Sequence, residues 1–231
     1  MTIRWKKTND PGGKPLRLLV HGASGAGKTW LARTVPDPSK CVFVAIEDGA
    51  LSLADIEMNV AVLEQSDDLF RLFELLEGRP EIEWIYIDSL TEWAEWILHE
   101  EMQKTTDGRK AYGELNNKVK YFLSGVMARA PQHVVATAKQ STTHSDTGRV
   151  LSPSMPGATL SEKTPVAHMF DCCWCLHVVP DGEGGATRQL QTDLSANPRY
   201  ASKTRDPWGR IRPMEPANLA QLAAKLRPEN K

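Results

Sequence analysis

The octapeptide Gly22-Ala23-Ser24-Gly25-Ala26-Gly27-Lys28-Thr29 carries the residue types that hold a polyphosphate, in the Gly-x-x-x-x-Gly-Lys-Thr spacing of a P-loop. Gly22, Gly25 and Gly27 let the backbone curl so that successive N–H groups, those of Ala23, Ser24 and Ala26 included, point inward at an anion. Lys28 supplies a cation for the β- and γ-phosphates, and the Thr29 hydroxyl is a ligand for Mg²⁺. A helix starting near Lys28 would turn its positive end toward the same phosphates, with Trp30 behind the loop. The flanks match this context: the apolar run Leu16–Val20 precedes the loop and Leu31–Arg33 continues a helical start.

A second carboxylate-bearing element is required to complete such a site. Trp84-Ile85-Tyr86-Ile87-Asp88 is an apolar strand ending in an acid, the Walker B form, and its Asp88 would hold Mg²⁺ directly or through water. Hydrolysis also needs a group that polarises water. The residue after Asp88 is Ser89, so the base comes from elsewhere. Glu47, at the tip of the strand Cys41–Ile46, is the first choice, because parallel strands deliver their C-terminal ends to one ligand-binding edge. Asp48 and Glu92 are alternatives.

The elements that must position these groups alternate along the chain. The spacing predicts strands at Cys41–Ile46, Trp84–Ile87 and His133–Thr137, with helices over Leu69–Leu76, from Leu90 to about Gln103, and roughly from Glu114 to Ala130. Lys104–Lys110 reads as a polar, basic loop. Ser141–Pro165 is rich in Ser, Thr, Gly and Pro, has no clear periodicity, and is expected to be a long loop, either functional or disordered. Phe170–Val179 and Ala186–Thr192 read as strands joined at Asp181–Gly185, and Glu215–Leu226 as a terminal amphipathic helix. The expected fold is α/β, a mainly parallel sheet flanked by helices with a C-terminal antiparallel hairpin.

With 231 residues the chain suits one domain, taken as 15–231 after a short extension at 1–14. No apolar run approaches the ~18 residues that cross a bilayer, and no signal peptide is present, so a cytoplasmic protein without membrane contact is expected. The net charge of −1 hides an asymmetry. Residues 1–101 hold 10 Lys and Arg against 18 Asp and Glu, whereas residues 102–231 hold 18 against 11, which suits an anionic partner. Cys172, Cys173 and Cys175, with His168 and His177 nearby, fit no structural zinc spacing and read as buried thiols.

In the order of its parts, Gly22–Thr29, then Val44–Glu47, then Ile85–Ser89, the chain resembles the RecA-core P-loop NTPases, most closely the phage ATPases of the single-strand-annealing type. The resemblance implies binding and hydrolysis of Mg·ATP, stimulated by DNA, in a homo-oligomeric ring or filament. It also implies action on single-stranded DNA in recombination, annealing or replication, in the cytoplasm of a phage-infected or lysogenic host, with a recombination or single-strand-binding protein as a partner. His133–Thr137 resembles the strand that carries a polar phosphate sensor, a place that Thr137, Lys139 or Gln140 would fill. Lys203 and Arg205 resemble the Lys-x-Arg element that reaches a neighbouring subunit's nucleotide. The two DNA-binding loops of the family would correspond to Lys104–Lys110 and Ser141–Pro165, with Lys104, Arg109, Lys110 and Arg149 on phosphates and Tyr112 as the nearest stacking aromatic. Two other readings of the same P-loop are a small-molecule kinase, which lacks an evident Arg-rich lid here, and an ATP-dependent protein-interaction switch with little turnover.

Overall fold

A computed structural model describes residues 14–47, 49–145, 148–157, 159–160, 165–182 and 184–227. The extension before Lys14 and Asp48 lie outside the described residues. The strands are β1 (Arg17–His21), β2 (Cys41–Ala45), β3 (Asn59–Val62), β4 (Trp84–Asp88), β5 (His133–Ala138), β6 (Gln140–Ser145), β7 (Gly148–Pro153), β8 (Cys172–Pro180), β9 (Ala186–Gln191), β10 (Lys203–Thr204) and β11 (Met214–Pro216). The helices are α1 (Lys28–Leu31), α2 (Asp68–Leu76), α3 (Leu90–Lys104), α4 (Gly108–Tyr121) and α5 (Leu219–Leu226).

One sheet runs in the order β11-β9-β8-β1-β5-β4-β2-β3, with β10 also on β8. The six strands from β3 to β8 in that order are mutually parallel. β9 and β10 lie antiparallel to β8, and β11 antiparallel to β9. The mainly parallel sheet with a late antiparallel hairpin is therefore the observed architecture.

Alternation along the strands divides the core. Leu19, Val42, Val44, Ile85 and Ile87 face the layer of α2, α3 and α4, where Phe122 meets Phe73 edge-on at 5.0 Å and Trp93 at 4.9 Å. Leu18, Val20, Phe43 and Tyr86 face α1 and α5. Trp84 and Trp93 are core; Trp96 is half-buried and Trp208 is exposed. Among the described residues no helix is long and apolar enough to cross a membrane.

Several sequence expectations need correction. The basic loop before α4 is only three residues, 105–107, because the Asp107 carboxylate accepts from the Arg109 N–H at 2.9 Å and starts the helix at Gly108. Arg109 and Lys110 thus occupy the first turn of α4, and Lys104 ends α3. The long loop is also partly regular, since β6 and β7 pair as a two-stranded antiparallel ribbon apart from the main sheet. Its polar, half-exposed strands bury no continuous face and so leave no apolar period. The terminal helix begins at Leu219, where the Asn218 side chain accepts from the Gln221 N–H at 3.0 Å. Glu215 and Pro216, expected in its first turn, instead belong to β11 and pair with β9. β3 was not anticipated: it is a short edge strand whose Val60 and Val62 are exposed.

Candidate functional site

β1 ends at His21, and the chain then turns through Gly25 at φ 75° and Gly27 at φ 97° before α1 begins. Only glycine takes such angles readily, which fixes these two positions. Gly22 packs so closely that a Cβ there would lie 2.9 Å from the Leu176 carbonyl oxygen. The loop is anchored from beneath: the buried Tyr86 hydroxyl donates to the Lys28 carbonyl at 2.5 Å, and burial raises its pKa well above that of a free phenol.

A cleft of about 980 Å³ opens over this turn. Its lining includes Gly22–Gly25, Gly27–Trp30, Glu47 and Asp88, so the structure brings the P-loop, Glu47 and Asp88 to one place. Ala26 lies beneath, buried. Lys28 Nζ donates to the Gly22 and Ala23 carbonyls at 3.0 and 3.1 Å, folded back on its own loop. Partial burial lowers its pKa, opposed by the charges of Asp88 and Glu47. Glu47 is exposed at the cleft wall, beyond the end of β2.

Thr29 Oγ1 donates to Asp88 Oδ2 at 2.5 Å, and the buried Thr137 hydroxyl donates to Asp88 Oδ1. Two hard oxygens, from Thr29 and Asp88, therefore meet at the cleft floor. That donor set fits Mg²⁺, which takes one or two protein oxygens and fills its shell with phosphate and water. Among the described residues no group of three or more His, Cys, Asp or Glu could hold a metal ion. Cys172, Cys173 and Cys175 are buried free thiols whose pKa values burial pushes up to about 12.

The three sensor candidates are separated by their partners. Thr137 braces Asp88 and does not line the cleft. Lys139 lines it but is held by Glu92 and, at 3.2 Å, by Glu95, which also occupies the alternative base Glu92. Gln140 lines the cleft and its amide donates to His21 Nδ1 at 3.2 Å. With Nε2–H of His21 donating to the Ala201 carbonyl at 2.6 Å, this chain links the end of β1, the start of β6 and the segment before β10. The tautomer follows, since Nδ1 must then be the acceptor.

Lys203 and Arg205 do not line the cleft. Lys203 is half-buried, its pKa lowered by burial, in a separate apolar cavity of about 570 Å³. Arg205 pairs with Asp171 at 3.4 Å, beside the first residues of β8 and β1, the opposite edge of the sheet from the P-loop. Lys104 is exposed and bound to Glu101 at 2.8 Å; Arg109, Lys110 and Arg149 are exposed. Arg149 shares a groove with Arg199, which sequence reasoning had not singled out. It had also missed Arg188, whose Nε donates to the Ala26 carbonyl at 3.2 Å.

No curated protein matches the chain. The family model described as an AAA domain matches residues 14–205, which span the P-loop, the Asp88 strand and the strands through β10. Coverage of that extent, over the cleft just described, makes the chain a member of the AAA-domain family of nucleotide-binding P-loop ATPases.

Proposed function

We propose that this protein binds and hydrolyses Mg·ATP and couples the reaction to single-stranded DNA, in the recombination or annealing chemistry of a phage. The observation that carries the nucleotide reading is the meeting of Lys28, Thr29 and Asp88 in one cleft beside the exposed carboxylate of Glu47. On entry of the triphosphate, Lys28 exchanges the Gly22 and Ala23 carbonyls for β- and γ-oxygens, and loop N–H groups complete the cradle. Thr29 and Asp88 would hold Mg²⁺, which when bound offsets the charge developing between the β- and γ-phosphates. Glu47 orients a water for in-line attack and accepts its proton.

The DNA reading is supported by the RecA-core resemblance and by placement. Tyr112 of α4 packs at Gly157, just beyond β7, where a Cβ would stand 3.0 Å from its ring, so the two proposed DNA segments share one side of the molecule. The deciding experiment is ATP hydrolysis at fixed salt with and without single-stranded DNA, using Lys28→Ala as control. Hydrolysis that DNA stimulates, and that the variant loses, is the expected result. Turnover that rises only with a small phosphate acceptor would make the protein a kinase, and ATP binding without turnover would make it a switch.

A further inference from the structure

The cleft has two chemically different ends. β4 and β2, which lead to Asp88 and Glu47, lie on one side of β1; β8 and β9 lie on the other. From that second side Arg188 of β9 reaches over the loop. Its guanidinium lies over the Trp30 ring, 4.9 Å from the centroid, while its Nε is fixed by the Ala26 carbonyl. Both side chains are half-buried and both line the cleft. Arg33 also lies over Trp30, at 5.5 Å, but its charge is taken up by Asp55 at 2.5 Å. Among the described residues Arg188 has no carboxylate partner.

The Mg²⁺-binding oxygens and Glu47 define where the terminal phosphate goes. A triphosphate running from there along Lys28 must direct its nucleoside away from β4 and β2, toward the side that Arg188 covers. A guanidinium positioned over an indole offers a face on which a nucleobase stacks, and its N–H groups remain donors to ribose or base. We propose that Arg188, braced by Trp30, is the nucleoside-binding wall of this site, and that it makes the protein select a nucleotide over a bare polyphosphate. The proposal rests on the nucleotide reading above and adds which residues recognise the part of the ligand that is not phosphate.

Calorimetric titration with Mg·ATP and with Mg·tripolyphosphate separates the two parts of the ligand. Arg188→Ala should weaken ATP binding about 10-fold, the scale of one base-stacking interaction, while tripolyphosphate affinity stays within about threefold. Arg188→Lys, which keeps the charge and removes the plane, should lose ATP affinity in the same way, and Trp30→Phe should lose less. Equal losses for both ligands would make Arg188 a support of the loop or a phosphate ligand and overturn the proposal. Unchanged ATP affinity in both Arg188 variants would overturn it too. Wild-type protein that binds tripolyphosphate as tightly as ATP overturns the nucleoside wall alone, whereas wild-type protein that binds neither overturns the nucleotide reading and the wall with it.

Discussion

Lys28 and Thr29 direct their hydrogen bonds to the protein itself, to the Gly22 and Ala23 carbonyls and to Asp88, so a ligand must replace those bonds with stronger ones. Charge-assisted bonds to phosphate do so. Glu47 differs in being exposed at the cleft wall, which is where a group that acts on water should stand. Glu47→Gln keeps its shape and removes its basicity, so ATP should still bind while single-turnover hydrolysis falls by about 10²-fold or more. Glu92→Gln should leave hydrolysis nearly unchanged, because Glu92 is engaged with Lys139; the reverse pattern would move the base to Glu92. His21 gives a pH signature. Burial lowers its pKa from 6.5 to about 4, and the His133 pKa falls to about 4 by burial and the nearby Arg227 and Arg17. An unfolded chain takes up these protons first, so the stabilisation is complete above pH 6.5 and drains away as the pH falls toward 4, by roughly 3 kcal/mol for His21. Thermal midpoints between about pH 7 and pH 4.5 should fall less steeply in His21→Gln, and an equal slope would locate the titration elsewhere. At this scale the P-loop and Asp88 were legible because each is a local motif. The roles of Tyr86 and Arg188 were not, since they act on the P-loop from 58 and 162 positions away and nothing beside either in the chain marks the interaction.

Strands and helices with an apolar period were legible for the same reason that they fold. β1, β2, β4 and β5 are near-continuous apolar runs because both sheet faces are covered. β3 and the β6–β7 ribbon bury little, so no pattern announces them, and the start of α4 is set by one Asp107 side chain. These corrections alter how cations are presented. Arg109 and Lys110 stand on the rigid first turn of α4, Arg149 on a ribbon strand beside Arg199, and Lys104 is tied to Glu101. Phosphate binding from such positions should be strongly salt-dependent and indifferent to sequence. Replacing Arg109 and Lys110 together by Ala should weaken single-strand binding and reduce the slope of log K against log salt by about 0.7 for each phosphate no longer neutralised. Arg149→Ala should do the same for a single phosphate. ATP binding without DNA should be unaffected. Labelled-oligonucleotide anisotropy at several salt concentrations measures both quantities, and an unchanged slope in both variants would take these elements out of the DNA site.

For the whole molecule, the sheet order sets what one chain can and cannot do. The P-loop, Asp88 and Glu47 gather where the parallel strands end, while Arg205 stands by Asp171 where β8 begins, with Cys172 opposite Leu18 and Cys175 opposite His21. Three residues of extended strand separate those levels, about 10 Å of backbone rise. Arg205 therefore does not serve its own cleft, and the role suggested by its Lys-x-Arg setting needs a second copy of the chain. A head-to-tail assembly would supply that copy, since a heterologous interface repeats one protomer's edge against the next protomer's cleft. A finger offered in this way stabilises negative charge only at the transition state, so turnover becomes conditional on assembly. Arg205→Ala protein should then bind ATP normally and hydrolyse it poorly. Mixed with Glu47→Gln protein, also inactive, it should regain activity, because random mixing pairs an intact Glu47 with an intact Arg205 at about a quarter of the interfaces. Hydrolysis measured across mixing ratios should peak near equal amounts. A flat, inactive series, in mixtures shown by sedimentation to contain both variants in one oligomer, would leave Arg205 as the partner of Asp171 and nothing more.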